Sequence, residues 1–149
     1  MFDNLIKYLQ NFAQSAILVI QTTLKQYNKD ATGVTSRSLK EATRFISSNA
    51  VSTQVTGSTV FNYIESGRRA GAKMPPEDAL IEWMKARSIP AAASFAIRKS
   101  IAEKGIEPTP VLKMSFAKLQ QTLLPKLKAE ILQEIANGVV SILQKQFKG

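Results

Sequence analysis

A chain of 149 residues with twenty lysines and arginines against eleven aspartates and glutamates carries a net charge of +9 and suits one domain, residues 1–149, with a real core. It has no cysteine and no histidine, which excludes disulfides, thiolate metal sites, thiol nucleophiles and imidazole acting as base or ligand. Catalysis by a Ser-Lys pair or by paired carboxylates stays open, while the excess positive charge directs attention to acidic partners: nucleic acid, anionic lipid or an acidic protein face.

The charge is distributed rather than clustered: residues 1–30 carry +1, residues 31–74 carry +4 and residues 75–149 carry +4. No run of five or six like charges marks a disordered basic tail. The first residues lack the order of basic region, apolar core and small-residue cleavage site of a signal peptide. No uninterrupted apolar run approaches the ~20 residues of a membrane span, so a soluble, unexported chain is expected.

Residues 3–27 read as an amphipathic helix, with Leu5, Ile6, Leu9, Phe12, Ala13, Ala16, Ile17, Ile20, Leu24 and Tyr27 at three- and four-residue steps and Asp3 or Asn4 as cap. Such a helix packs on a sheet, on a neighbouring subunit, or in a membrane interface; its having only two lysines disfavours the last. Asn28 to Gly33 is a turn-rich linker. Ser38 to Ile46 fits a strand or a helix and is taken as a strand because strand-like alternation comes directly after it. Ser47-Ser48-Asn49 makes a turn. Val51, Thr53 and Val55 alternate with polar residues as a half-buried strand, Thr56-Gly57-Ser58 turns again, and Thr59 to Ile64 reads as a third strand of an antiparallel meander.

Between that strand and a helix over Pro76–Arg87 lies a loop with two glycines and three positive charges, Arg68, Arg69 and Lys73. Pro75-Pro76 suits a helix start, since proline there loses no hydrogen bond; Glu77 and Asp78 then sit at the positive end of the dipole, with Lys85 and Arg87 near its negative end. Leu80, Trp83, Met84 and Arg87 form the stripe of this helix, with Trp83 as its core anchor. Ser88-Ile89-Pro90 breaks the chain, and Ala91–Lys104 is a further helix with Phe95, Ile97, Ile101 and Ala102 as apolar content and Gly105 as C-cap. Arg98 and Lys99 on it are either a solvated face or a second basic surface. Glu107 to Pro110 is extended. From about Lys113 to Phe147 the pattern is helical, and Pro125 bends or restarts it.

The loop with Arg68, Arg69 and Lys73 is the strongest site candidate, because arginines bind phosphates and carboxylates bidentately and glycines allow close backbone approach. It has no GxxxxGK[ST] pattern and no interleaved aromatics, so it is neither a P-loop nor a single-strand stacking platform. A solvated loop, a protein contact and a phosphate contact all fit it. Glu65 could pair with Arg68 or Arg69; the spacing of Glu77, Asp78 and Glu82 suits capping better than metal ligation, and no catalytic or metal site is assigned.

Tyr63-Ile64-Glu65-x-Gly67-Arg68-Arg69, Lys73-Met74-Pro75-Pro76, Ala79-Leu80-x-x-Trp83 and Ala96-Ile97-Arg98-Lys99-Ser100-Ile101-Ala102-Glu103-Lys104-Gly105 together resemble the neck and tail-completion (head-tail joining) proteins of tailed bacteriophages. Thr32-Gly33, Ser38-Leu39 and Pro108-x-Pro110 extend the likeness, which covers roughly two thirds of the chain, from about Thr32 to Leu127. The weak alternation of Ser38–Ile46 departs from it, and the final helix is not distinctive. The resemblance implies an α+β fold: a small antiparallel sheet of about three to four strands packed by a long N-terminal helix, two central helices and a long C-terminal helix. It implies a non-enzymatic virion structural protein without cofactor. Copies would form a homo-oligomeric ring at the portal-tail junction, touching portal or adaptor and tail proteins, helping to retain DNA with non-specific contact in the channel, and meeting no membrane. The alternative is a basic nucleic-acid-binding protein acting through phosphate contacts.

Overall fold

The computed structural model describes residues 2–48 and 50–147. The chain is α+β: helices α1 (Phe2–Gln26), α2 (Val34–Arg37), α3 (Val60–Ser66), α4 (Asp78–Ala86), α5 (Ser94–Lys104), α6 (Val111–Thr122) and α7 (Leu124–Phe147), and strands β1 (Lys40–Ser47) and β2 (Ala50–Thr56). A single 3₁₀ turn, Ala91–Ala93, leads into α5. The residues group into two compact units. One comprises 1–19, 40–56 and 115–149; the other comprises 20–39 and 57–114.

In the first unit β1 and β2 form an antiparallel pair with Thr43 opposite Thr53, their hydroxyls 2.8 Å apart, and the register slips between Phe45 and Ser47. The strand reading of residues 38–46 holds from Lys40 onward, Ser38 being instead the C-cap of α2, and that of 51–55 holds throughout. The turn expected at Ser47-Ser48-Asn49 includes Asn49, which lies outside the described residues. α1 already includes residues 3 and 4, so neither is its N-cap; the Asn4 amide instead donates to Glu134 on α7 at 3.0 Å. α6 stops at Thr122 and α7 starts at Leu124, which places Pro125 in a first turn where its missing N–H costs nothing. The restart expected at Pro125 is thus observed.

The expected third strand does not exist among the described residues: Val60–Ser66 is helix α3, and the sheet has two strands. Phe61 and Ile64 decide this. Three residues apart, they both turn into the core of the second unit, whereas strand alternation would have buried Phe61 together with Tyr63, which is 62% exposed. Ser58 starts the helix, its Oγ accepting the Val60 N–H at 3.2 Å, and Gly67 stops it at φ 69°, its N–H bonded to the Tyr63 carbonyl. That core gathers Ile20 and Leu24 of α1, Phe61 of α3 and Val111 of α6, with Leu39 and Ile64 packed against them. In this unit the last turns of α1, through Ile20 and Leu24, pack with helices α3 and α6.

α4 begins at Asp78, two residues later than expected, with Glu77 as N-cap; its buried anchor is Met84 rather than Trp83, which is half-buried. Phe95 of α5 is 64% exposed, so the burial on that helix comes from elsewhere: Ser94 is buried and Ile97 and Ile101 are half-buried.

Candidate functional site

The cationic loop joins helix to helix, from α3 to α4, and not strand to helix. Its backbone is laid along α5 and its exit at three points four residues apart. Arg68 and Ile106 exchange both backbone hydrogen bonds at 2.8 Å, the Gly71 N–H donates to the Ala102 carbonyl at 2.7 Å, and Arg98 Nε donates to the Pro75 carbonyl at 2.7 Å. The four-residue spacing of Arg98, Ala102 and Ile106 is the helical repeat that sets successive contacts above one another.

Two glycines make the first contact feasible. Gly67 and Gly105 have φ of 69° and 75°, a region side chains avoid, and each leaves a helix at the point where the two segments meet. A Cβ on Gly67 would collide with the Ile106 carbonyl, and one on Gly105 with the Arg68 carbonyl. Gly105 is the C-cap the sequence predicts, its N–H bonded to Ile101 O at 2.9 Å. Gly71 has the same φ, 75°, but open space where its side chain would be.

The charged residues of the loop part company. Arg68 is half-buried and donates Nη2 to the Lys73 carbonyl, so it closes the loop on itself; its Nε is buried without a partner. Arg69 and Lys73 are exposed, and among the described residues neither makes an ion pair. Glu65 makes no ion pair with Arg68 or Arg69 among the described residues and accepts the Leu112 N–H, placing a carboxylate on the first turn of α6. Arg98 is turned inward as a clamp, on Pro75 O and, at 3.8 Å, on the Glu77 carboxylate. Lys99 is exposed and lies 3.8 Å from Glu103. Arg68, Arg69 and Lys73 thus share one loop, while Arg98 and Lys99 do not form one surface.

The same unit carries an apolar groove of about 740 Å³, which sequence reasoning missed. Tyr63 and Val60 of α3, Trp83 of α4 and Val34 of α2 line it together with Ile106. Arg87 lies 5.3 Å from the centre of the Trp83 ring and donates to the Asn28 carbonyl at 3.0 Å, tying α4 to the turn after α1. The available signal was the pairing of Val60 with Tyr63 three residues apart, which is helical spacing and not strand spacing.

Among the described residues no group of three or more acidic side chains could hold a metal ion, and no helix is long and apolar enough to cross a membrane. No protein-family model, curated protein or solved structure matches the chain.

Proposed function

We propose that the chain is a non-enzymatic structural protein of the tailed-phage neck, forming a ring at the portal-tail junction that helps join head to tail and retain DNA. The observation that carries this reading concerns the residues on which the family resemblance rests. Gly67, Arg68, Pro75, Arg98 and Gly105 all act on backbone, at the joints between α3, α4 and α5. Such residues fix a shape; none of them is held ready for a substrate. Arg69 and Lys73 then project from a braced loop toward a neighbour, a portal-side protein or DNA.

Replacing Arg69 and Lys73 together by Ser tests the loop directly. Particles should accumulate as unjoined heads and tails, while the folding stability of the variant stays within about 0.5 kcal/mol of the parent, as surface substitutions do. Normal joining by the double variant would remove the loop from the account.

A second reading, a nucleic-acid-binding protein acting on phosphates, is favoured by the net charge of +9 and by the same two exposed side chains. The two readings separate by the salt dependence of DNA binding.

A further inference from the structure

We infer that the β1–β2 ribbon is a contact surface for duplex DNA, meeting phosphates through Lys40 and Arg44. The ribbon belongs to the first compact unit and the cationic loop to the second, so this is a separate surface that needs neither the loop nor the ring.

Strand alternation gives the ribbon two faces. The register sets Lys40 opposite Thr56, Ala42 opposite Gln54 and Arg44 opposite Ser52 on one face. It sets Glu41, Thr43 and Phe45 opposite Val55, Thr53 and Val51 on the other. Burial tells the two apart. On the first face every residue is exposed except the half-buried Ser52; on the second, Glu41, Thr43, Val51 and Thr53 are all half-buried. The regular alternation ends at the register slip after Phe45.

The open face is chemically one-sided. It holds two cations, no anion and, apart from Ala42, no apolar side chain. Among the described residues neither Lys40 nor Arg44 makes an ion pair. Glu41 stands between them in sequence, but its carboxylate belongs to the other face, where it accepts the Thr43 hydroxyl at 3.1 Å.

These features select the partner. A protein contact is anchored by aromatic or aliphatic side chains at its centre, and a membrane contact by apolar groups entering the lipid; this face offers neither. Four residues apart on one strand, Lys40 and Arg44 are separated by about 13 Å. That is too far to clamp one phosphate or one carboxylate, but it matches about four phosphate steps of roughly 3.4 Å along a DNA strand. Ala42 between them lets the strand approach a backbone closely, and Ser52, Gln54 and Thr56 supply the neutral hydroxyl and amide groups that also meet phosphates. A two-stranded ribbon is narrow enough for the major groove, about 12 Å wide.

Fluorescence anisotropy of a labelled duplex, titrated with the full chain at several salt concentrations, tests the contact. Lys40→Gln with Arg44→Gln should weaken binding at least tenfold at low salt and make the log–log salt slope shallower by about 1.8, for two phosphates at about 0.9 each. Lys104→Gln with Lys113→Gln removes the same charge from exposed positions elsewhere and should weaken binding less than about threefold. Lys40→Arg with Arg44→Lys keeps the charges and should bind as the parent does. Urea titration establishes that each variant folds; if the double glutamine variant does not, Arg44→Gln alone should give about half the change in slope. No binding by the parent at low salt, equal losses from the two glutamine pairs, or lost binding by the charge-retaining pair would overturn the inference. So would phosphatidylserine vesicles that lose binding to the Lys40 and Arg44 glutamine variant while DNA does not, since the ribbon would then be a membrane contact. All of this is read on the purified chain, and none of it touches the neck assignment, which stands or falls on head-tail joining by the Arg69 and Lys73 variant.

Discussion

Gly67, Gly71 and Gly105 share a positive φ, yet only two of them face backbone where a side chain would point. Gly67 and Gly105 also combine that φ with ψ of −160° and −165°, a backbone region essentially confined to glycine. Gly71→Ala carries only the left-handed backbone, about 1–2 kcal/mol. Gly67→Ala and Gly105→Ala add a collision with the carbonyl of the opposing segment and break the reciprocal Arg68–Ile106 bonds, so each should exceed the Gly71 variant by at least about 1 kcal/mol. Urea midpoints of the three variants measure the difference, and equal midpoints would mean that the two segments are not in close contact. The same contrast runs through the charged residues. Arg68 and Arg98 spend their guanidinium groups on carbonyls of the chain, whereas Arg69 and Lys73 leave theirs in solvent. Residue type alone grouped Arg68 with Arg69 and Lys73 and left Arg98 on a separate helix face; the geometry instead pairs Arg68 with Arg98 as braces and leaves Arg69 and Lys73 in solvent.

Among elements, α5 does the bracing. Arg98→Gln should loosen the entry to α4 and lower stability by roughly 1.5–3 kcal/mol, the range for hydrogen bonds to charged groups. Lys99→Gln, one residue on, loses only an exposed pair and should change stability by less than about 1 kcal/mol. Thermal unfolding of both variants checks this, and equal losses would dissolve the distinction between clamp and solvated lysine. The elements that were legible in the sequence were those with strong local punctuation: α1 by its long apolar repeat, α5 by Gly105, and the restart of α7 by Pro125. Residues 59–64 misled because Phe61 and Tyr63 alternate as in a strand, while Phe61 and Ile64 also satisfy a helix. So short a stretch cannot let the period decide, and the Ser58 and Gly67 end signals carried the information instead. The groove escaped for a different reason. Its lining comes from four helices and three connecting segments, and no local pattern announces such a convergence.

For the molecule as a whole, the braced cationic loop and the surplus of positive charge set what kind of contact it can make. If the chain acted mainly through phosphates, its affinity for duplex DNA would fall with a log–log salt slope of about −0.9 per phosphate neutralised, steeply for many contacts. A neck ring with two exposed cations on its loop predicts weak binding with a shallow slope, measured by filter binding at two salt concentrations. Electron cryomicroscopy of the neck of the tailed particle assembled with this chain decides whether it works by assembled shape at the portal-tail junction, as proposed. A closed ring of copies between portal and tail is expected, with Arg69 and Lys73 at a boundary with a neighbouring protein or the DNA channel; a complete particle with no copy of the chain at that junction would rule the proposal out.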